Sequence, residues 1–153
     1  MDLNIAVKTE SKQYIGITIG SEQYGIDISF VDNIVKMQKL TRVPKAQTYF
    51  LGVINIRGEI IPVMSLRLKF GLEADKIGPK TRILIIKPDK NSAVGIIVDE
   101  VKEVLNISED EIDKAPQNNE ETASYVLGVG KHEKGLITLL NIMSVISEKK
   151  EEQ

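Results

Sequence analysis

Side chains able to do acid, base or nucleophilic chemistry are few in this 153-residue chain, which has no Cys and a single His, His132. Triad chemistry needs a nucleophile and a base within hydrogen-bond reach. His132 instead stands in Lys131-His132-Glu133-Lys134-Gly135, a stretch that predicts a surface turn. The carboxylates come as runs, Asp99-Glu100, Glu109-Asp110-Glu111 and Glu120-Glu121. Acid and base roles require carboxyls in unlike environments, whereas such runs read as solvated faces. No His or carboxylate cluster has metal-ligand spacing. Gly128-Val129-Gly130-Lys131 lacks the glycine spacing of a phosphate loop and leads into a strand, so no helix N-terminus faces an anion. The expectation is a protein that is not an enzyme and uses neither metal nor cofactor.

The charge balance, 20 basic against 22 acidic residues, gives −2 and no global field to hold a polyanion. Seven aromatics, four Tyr and three Phe, are not interleaved with basic residues, which disfavours a base-stacking groove. A small β-barrel nucleic-acid binder would need a local basic face and steeply salt-dependent binding. The start Met1-Asp2-Leu3-Asn4-Ile5-Ala6 has no signal-peptide pattern, and no apolar run approaches the ~20 residues that span a bilayer. A cytoplasmic protein without direct membrane insertion is expected, and the lack of Cys fits a reducing compartment.

One cation stands out, Arg57, between the apolar runs Gly52-Val53-Ile54-Asn55-Ile56 and Ile60-Ile61-Pro62-Val63. It reads either as a solvated tip or as a fork of donors that clamps a carboxylate or carbonyl at a contact.

The elements that would position such residues are short β-branched runs between turn residues. Nine strands are predicted, over 14–19, 24–28, 52–56, 60–64, 82–87, 94–98, 101–107, 125–129 and 136–140. Ser29 could cap a helical turn carrying Val31, Ile34 and Val35, and Ser108-Glu109-Asp110-Glu111 matches a capping box. A turn over 66–72 would stop at Gly71, and an amphipathic helix is expected over 142–150.

The chain also repeats itself. Gly25-Ile26, Val31 and Ile34-Val35 recur 70 residues on as Gly95-Ile96, Val101 and Val104-Leu105. Leu51-Gly52-Val53 recurs 76 residues on as Leu127-Gly128-Val129, followed by Ile60-Ile61 as Leu136-Ile137. A weaker pair sets 15–19 against 83–87. A duplicated unit of this size suits a small barrel. The prediction is all-β: two five-stranded β-barrel lobes packed together, about 12–78 and 79–147, whose ends can exchange, with tails 1–11 and 148–153. A seam between lobes is a natural binding place.

Tyr24-Gly25-Ile26-Asp27-Ile28, the block Gly52 to Val63 with Asn55-Ile56-Arg57-Gly58 at its centre, and Val94-Gly95-Ile96-Ile97-Val98-Asp99-Glu100-Val101 closely resemble the CheW family of chemotaxis adaptors. The resemblance runs from about Tyr14 to Ile146. It implies two SH3-like barrels, no catalysis, and an adaptor that binds the cytoplasmic tip of transmembrane chemoreceptors and the regulatory domain of the histidine kinase CheA, joining membrane-attached arrays through these partners. A CheW-like adaptor of another CheA-type pathway, such as surface motility, is the alternative. Carried over by motif, receptor contacts fall on Val31, Asn33, Ile34, Arg57, Gly95, Val101 and Val104, although the four apolar residues among these serve equally well as core. Relatives often carry an acid at Asn33. Gly52, Gly58 and Gly128 match glycines expected to let turns form.

Overall fold

A computed structural model describes residues 11–114, 125–133 and 135–147. The expectations for the tails, Ser11 aside, and for Glu120-Glu121 lie outside these residues. The chain is mostly β, with eleven strands: β1 Ser11–Ile19, β2 Glu22–Asp27, β3 Val31–Lys36, β4 Phe50–Ile56, β5 Glu59–Ser65, β6 Arg82–Asp89, β7 Ser92–Val98, β8 Glu100–Ser108, β9 Ile112–Lys114, β10 Val126–His132 and β11 Gly135–Leu140. Two short helices follow strands, α1 Leu66–Lys69 and α2 Ile142–Ile146.

Two strands were not foreseen, β3 and β9. Asp27, not Ser29, caps a single 3-10 turn over Ile28–Phe30, its Oδ1 accepting from the Ser29 amide at 2.9 Å and hydroxyl at 2.8 Å. The chain then becomes β3 and pairs antiparallel with β6. A bulge between Val31 and Asn33 breaks the alternation of this strand. One inserted residue puts 31 and 34 on one face while 35 stays on the other, and the three apolar positions together imitate a helical stripe. The final helix is also shorter than expected, ending at Ile146 because Ser147 is already extended.

The strands form two sheets, in the orders β8-β1-β2-β11-β10-β9 and β3-β6-β7-β5-β4. The sheets do not follow a division at residue 78: β1 and β2 join the sheet of β8 to β11, while β6 and β7 join that of β3 to β5. The two orders correspond strand for strand, including one parallel pair each, β11 with β2 and β5 with β7. The sixth strand, β9, corresponds to a lone bridge between Thr41 and Val53 in the five-stranded sheet. The pairing also corrects the weakest repeat. Ile15 faces Val104 and Ile26, whereas Leu84 faces Ile34 and Ile96, so Ile15 matches Leu84 rather than Ile83. A one-residue slip matters because it exchanges the faces of a strand.

Each sheet has its own core, one around Ile54, Ile61, Val63, Ile83 and Ile97, the other around Tyr14, Leu105, Ile107, Ile137 and Leu139. A third and largest cluster lies between the sheets. It joins Ile15, Ile17 and Ile26 to Met64, Leu84, Ile86, Ile96 and Val98, with Leu66 of α1 and Ile142 and Val145 of α2. Because each sheet takes strands from both halves of the chain and shares this cluster, the halves cannot part without unpairing strands. Protease nicking within the exposed connection 76–80 is therefore expected to leave one particle by native size exclusion, which separates only in denaturant. Two folded fragments eluting apart would contradict the exchange.

Candidate functional site

β3 and β8 are edge strands of their sheets and flank the shared cluster. Their duplicated residues adopt the same arrangement twice. Val31 and Val101 are half-buried and pack against the cluster. Ile34 and Val104, on the same strand faces, are more exposed, at 38% and 44%. The β8 strand has its own bulge opposite the Ile15–Ile17 step of β1. Each edge thus shows one apolar side chain to solvent, backed by another fixed to the core.

Asn33 is exposed beside them at the β3 bulge, its Oδ1 2.8 Å from the Ile34 amide that donates to it. A short local acceptor is what a bulge needs, and Asn serves it without charge. Gly95 is buried in β7, where an added Cβ would lie 2.9 Å from Ile83 Cγ2 and 3.2 Å from Val63 Cγ2. Its position lets the layers meet and offers nothing to a partner directly.

Arg57 is exposed at the tip between β4 and β5, in a two-residue turn with φ of 52° at Arg57 and 88° at Gly58. Positive φ at both central residues is the type I′ hairpin, whose twist matches that of the strands. Asn55 Oδ1 accepts from the Gly58 amide at 2.9 Å and holds the turn. Gly58 acts as a turn glycine, while Arg57 bears a left-handed strain of about 1 kcal/mol that Asn or Gly would relieve. Among the described residues no hydrogen bond or ion pair ties the guanidinium to the seam.

Gly52 and Gly128 have a different task from the one expected. Both lie inside strands, at bulges of β4 and β10. A Cβ would stand 2.5 Å from the Thr41 carbonyl oxygen at Gly52 and 2.5 Å from that of Asp113 at Gly128. They admit a neighbouring backbone rather than form a turn.

Sequence reasoning missed the polar clamp across the seam. Arg67, just inside α1, donates through Nε to Asp99 Oδ1 at 3.1 Å and through Nη2 to Oδ2 at 2.6 Å. Asp99 Oδ2 also accepts from the Gly20 amide at 2.7 Å, and the Asp99 amide donates to the Thr18 carbonyl at 3.1 Å. One carboxylate therefore joins α1 to the β1–β2 turn of the other sheet. The Arg67 hydrogen bonds hold this carboxyl below the usual range against the opposing effect of burial. Asp75, hydrogen-bonded by Ser65, is pushed the other way by burial. Aromatics close the same region: Phe70 lies 5.9 Å from Tyr24 and 5.7 Å from Tyr125, and Lys69 Nζ sits 4.0 Å from the Tyr49 ring centroid. Nothing in the repeat signals this clamp, because the equivalents of Arg67 and Asp99 are Met143 and Ser29.

No group of three potential metal ligands occurs among the described residues, and no helix there is long and apolar enough to cross a membrane. The architecture is a duplicated pair of β-sheets with apolar edge positions on either side of a shared core. The chain belongs to the family of CheW-like domains, whose model matches residues 13–150. It is similar to the chemotaxis protein CheW of Helicobacter pylori, 37% identical over 91% of this chain and 84% of the relative, and to that of Bacillus subtilis, 36% identical over 93% and 90%. The crystal structure of scaffolding protein TtCheW from Thermoanaerobacter tengcongensis superposes with a TM-score of 0.82 at 29% identity, over 94% of this chain and 98% of that one. The chain is thus a chemotaxis scaffold of the CheW type.

Proposed function

We propose that the chain couples transmembrane chemoreceptors to the kinase CheA in the cytoplasm, acting by holding partners rather than by chemistry. The observation that carries this reading is the duplicated pair of exposed apolar residues, Ile34 and Val104, each backed by a seam residue, Val31 and Val101. Anchors of this kind suit the apolar stripe of a helix laid along the seam, as at a receptor tip. Arg57 carries a planar fork of donors in a strained turn, which suits a clamp on a partner's carboxylate or carbonyl. Gly95 supports the site through packing, and the regulatory domain of the kinase takes another face.

The experiment compares receptor-tip affinity with chemical denaturation on the same variants. Ile34→Asp combined with Val104→Asp is expected to weaken tip binding at least tenfold. Stability should shift by no more than ~1 kcal/mol, because both side chains already meet water. Arg57→Asn should relieve the turn, gaining about 0.5–1 kcal/mol of stability, while binding weakens. Unchanged affinity in the double variant would overturn the proposed docking edge.

A further inference from the structure

The cores of the two sheets are not filled alike. Gly130 stands where the duplication places Ile54 in the five-stranded sheet, and Ile54 is buried in that core. With no side chain at Gly130, the core of the six-stranded sheet is one apolar group short beside Ile107 and Leu139, which an added Cβ would meet at 3.1 and 3.7 Å. Those two residues, with Ile112 and the 47% exposed Leu127, wall a hollow of about 240 Å³.

Tyr14 lines the same hollow. Its counterpart is Ile83, one position before the matched pair Ile15 and Leu84, so the packing shared by the two sheets calls for no hydroxyl there. Tyr14 is only 4% exposed, yet among the described residues its hydroxyl has no hydrogen-bond partner. Buried polar groups are as a rule hydrogen-bonded, so an open one on the wall of a cavity marks a place for a ligand atom. Burial, then the nearby carboxylates of Asp27 and Glu109, hold the phenol above its usual range, so it keeps its proton and donates. The ligand atom that it meets is therefore an acceptor.

Two further lining residues, Lys114 and Glu109, are exposed and have no ion-pair partner among the described residues. Lys12, the remaining charge on the hollow, lies 3.8 Å from Asp27. We propose that the hollow takes a free amino acid with a branched aliphatic side chain. The side chain packs against Ile107, Ile112, Leu127 and Leu139, the carboxylate accepts from Tyr14 and meets Lys114, and the ammonium meets Glu109. A volume below the ~300 Å³ at which drug-sized sites begin selects a ligand of this size. So small a molecule, held by exposed ion pairs, binds weakly, in the millimolar range.

Methyl-resolved NMR titration of the whole protein with leucine tests this. The methyl signals of Ile107, Ile112, Leu127 and Leu139 should shift and saturate, while those of Ile54, Ile61 and Ile85 in the other core stay still. 4-Methylpentanoate, which lacks the ammonium, and 3-methylbutylamine, which lacks the carboxylate, should each bind at least fivefold more weakly. Tyr14→Phe removes the hydroxyl alone. It should weaken leucine binding at least fivefold without lowering stability in urea, because no hydrogen bond among the described residues is lost. No saturable shift at the highest soluble concentration, equal shifts in both cores, or leucine bound no better than the acid and the amine would overturn the proposal. So would a Tyr14→Phe chain that binds leucine as the wild type does, or one that loses stability or fails to fold, since the hydroxyl would then serve the core.

Discussion

Gly52→Ala is expected to cost about 3 kcal/mol or more in chemical denaturation, enough to unfold much of the protein. The new Cβ would stand 2.5 Å from the Thr41 carbonyl oxygen and 2.9 Å from its carbon, both backbone atoms that no rotamer change can move. Relief requires Thr41 to retreat, which breaks the two hydrogen bonds it exchanges with Val53 and opens the loop pinned there. The backbone at Gly52, with φ of 150°, adds strain of its own. Gly58→Ala is the control, since nothing lies within 4 Å of its Cβ and only the left-handed turn resists it. That change should cost about 1 kcal/mol. Equal losses in the two variants would show that close approach is not what requires Gly52.

Asp99→Asn should cost about 2 kcal/mol at neutral pH, because it removes the charge that Arg67 and the Gly20 amide both address. Both side chains of the pair are less than a third exposed, 21% for Arg67 and 26% for Asp99, so solvent screens the contact only in part. The pH dependence follows from the depressed carboxyl of Asp99. Its stabilisation is fully present above the ordinary carboxylate range and is lost as pH falls through the lower folded value. The gap between wild type and Asp99→Asn therefore closes in acid. Asp75 acts in the opposite sense, since a raised folded value makes stability fall as pH climbs from the ordinary value to the raised one. Urea denaturation of both chains across the acid range checks this, and a gap that stays constant or widens in acid would remove the clamp from the seam.

Much of the fold was legible because it is written twice. The recurrence of Gly25, Val31 and Ile34 as Gly95, Val101 and Val104 shows which segments correspond, although it does not show that the segment of Val31 is a strand, and the sheet orders agree with the correspondence. Strand exchange was less legible, since a repeat says which elements are alike but not which copy each one pairs with. Local pattern misled at β3, where a bulge made 31, 34 and 35 look helical. The glycines at 52 and 128 were visible as glycines, yet the carbonyl that each must admit comes from a residue distant in sequence. The same holds for Arg67 and Asp99, 32 residues apart, one in each half and neither repeated at the equivalent position, where Met143 and Ser29 stand. Apolar residues at the seam were the easiest to find, and the hardest to divide between core and surface. The bulge sets Val31 and Ile34 on the same side of the strand, opposite Ile86 and Leu84, and they differ only in how much water reaches them.

Coupling itself is measured most directly by phosphorylation of the kinase on receptor-bearing membranes, with and without this chain. Adding the chain should raise the rate of kinase phosphorylation well above that of receptor and kinase alone, and make that rate respond when the receptor binds its ligand. The chain carrying both Ile34→Asp and Val104→Asp, folded as judged by denaturation, should do neither. A kinase rate that is the same with and without the chain, or one restored equally by the double variant, would contradict an adaptor that works through its two apolar edges.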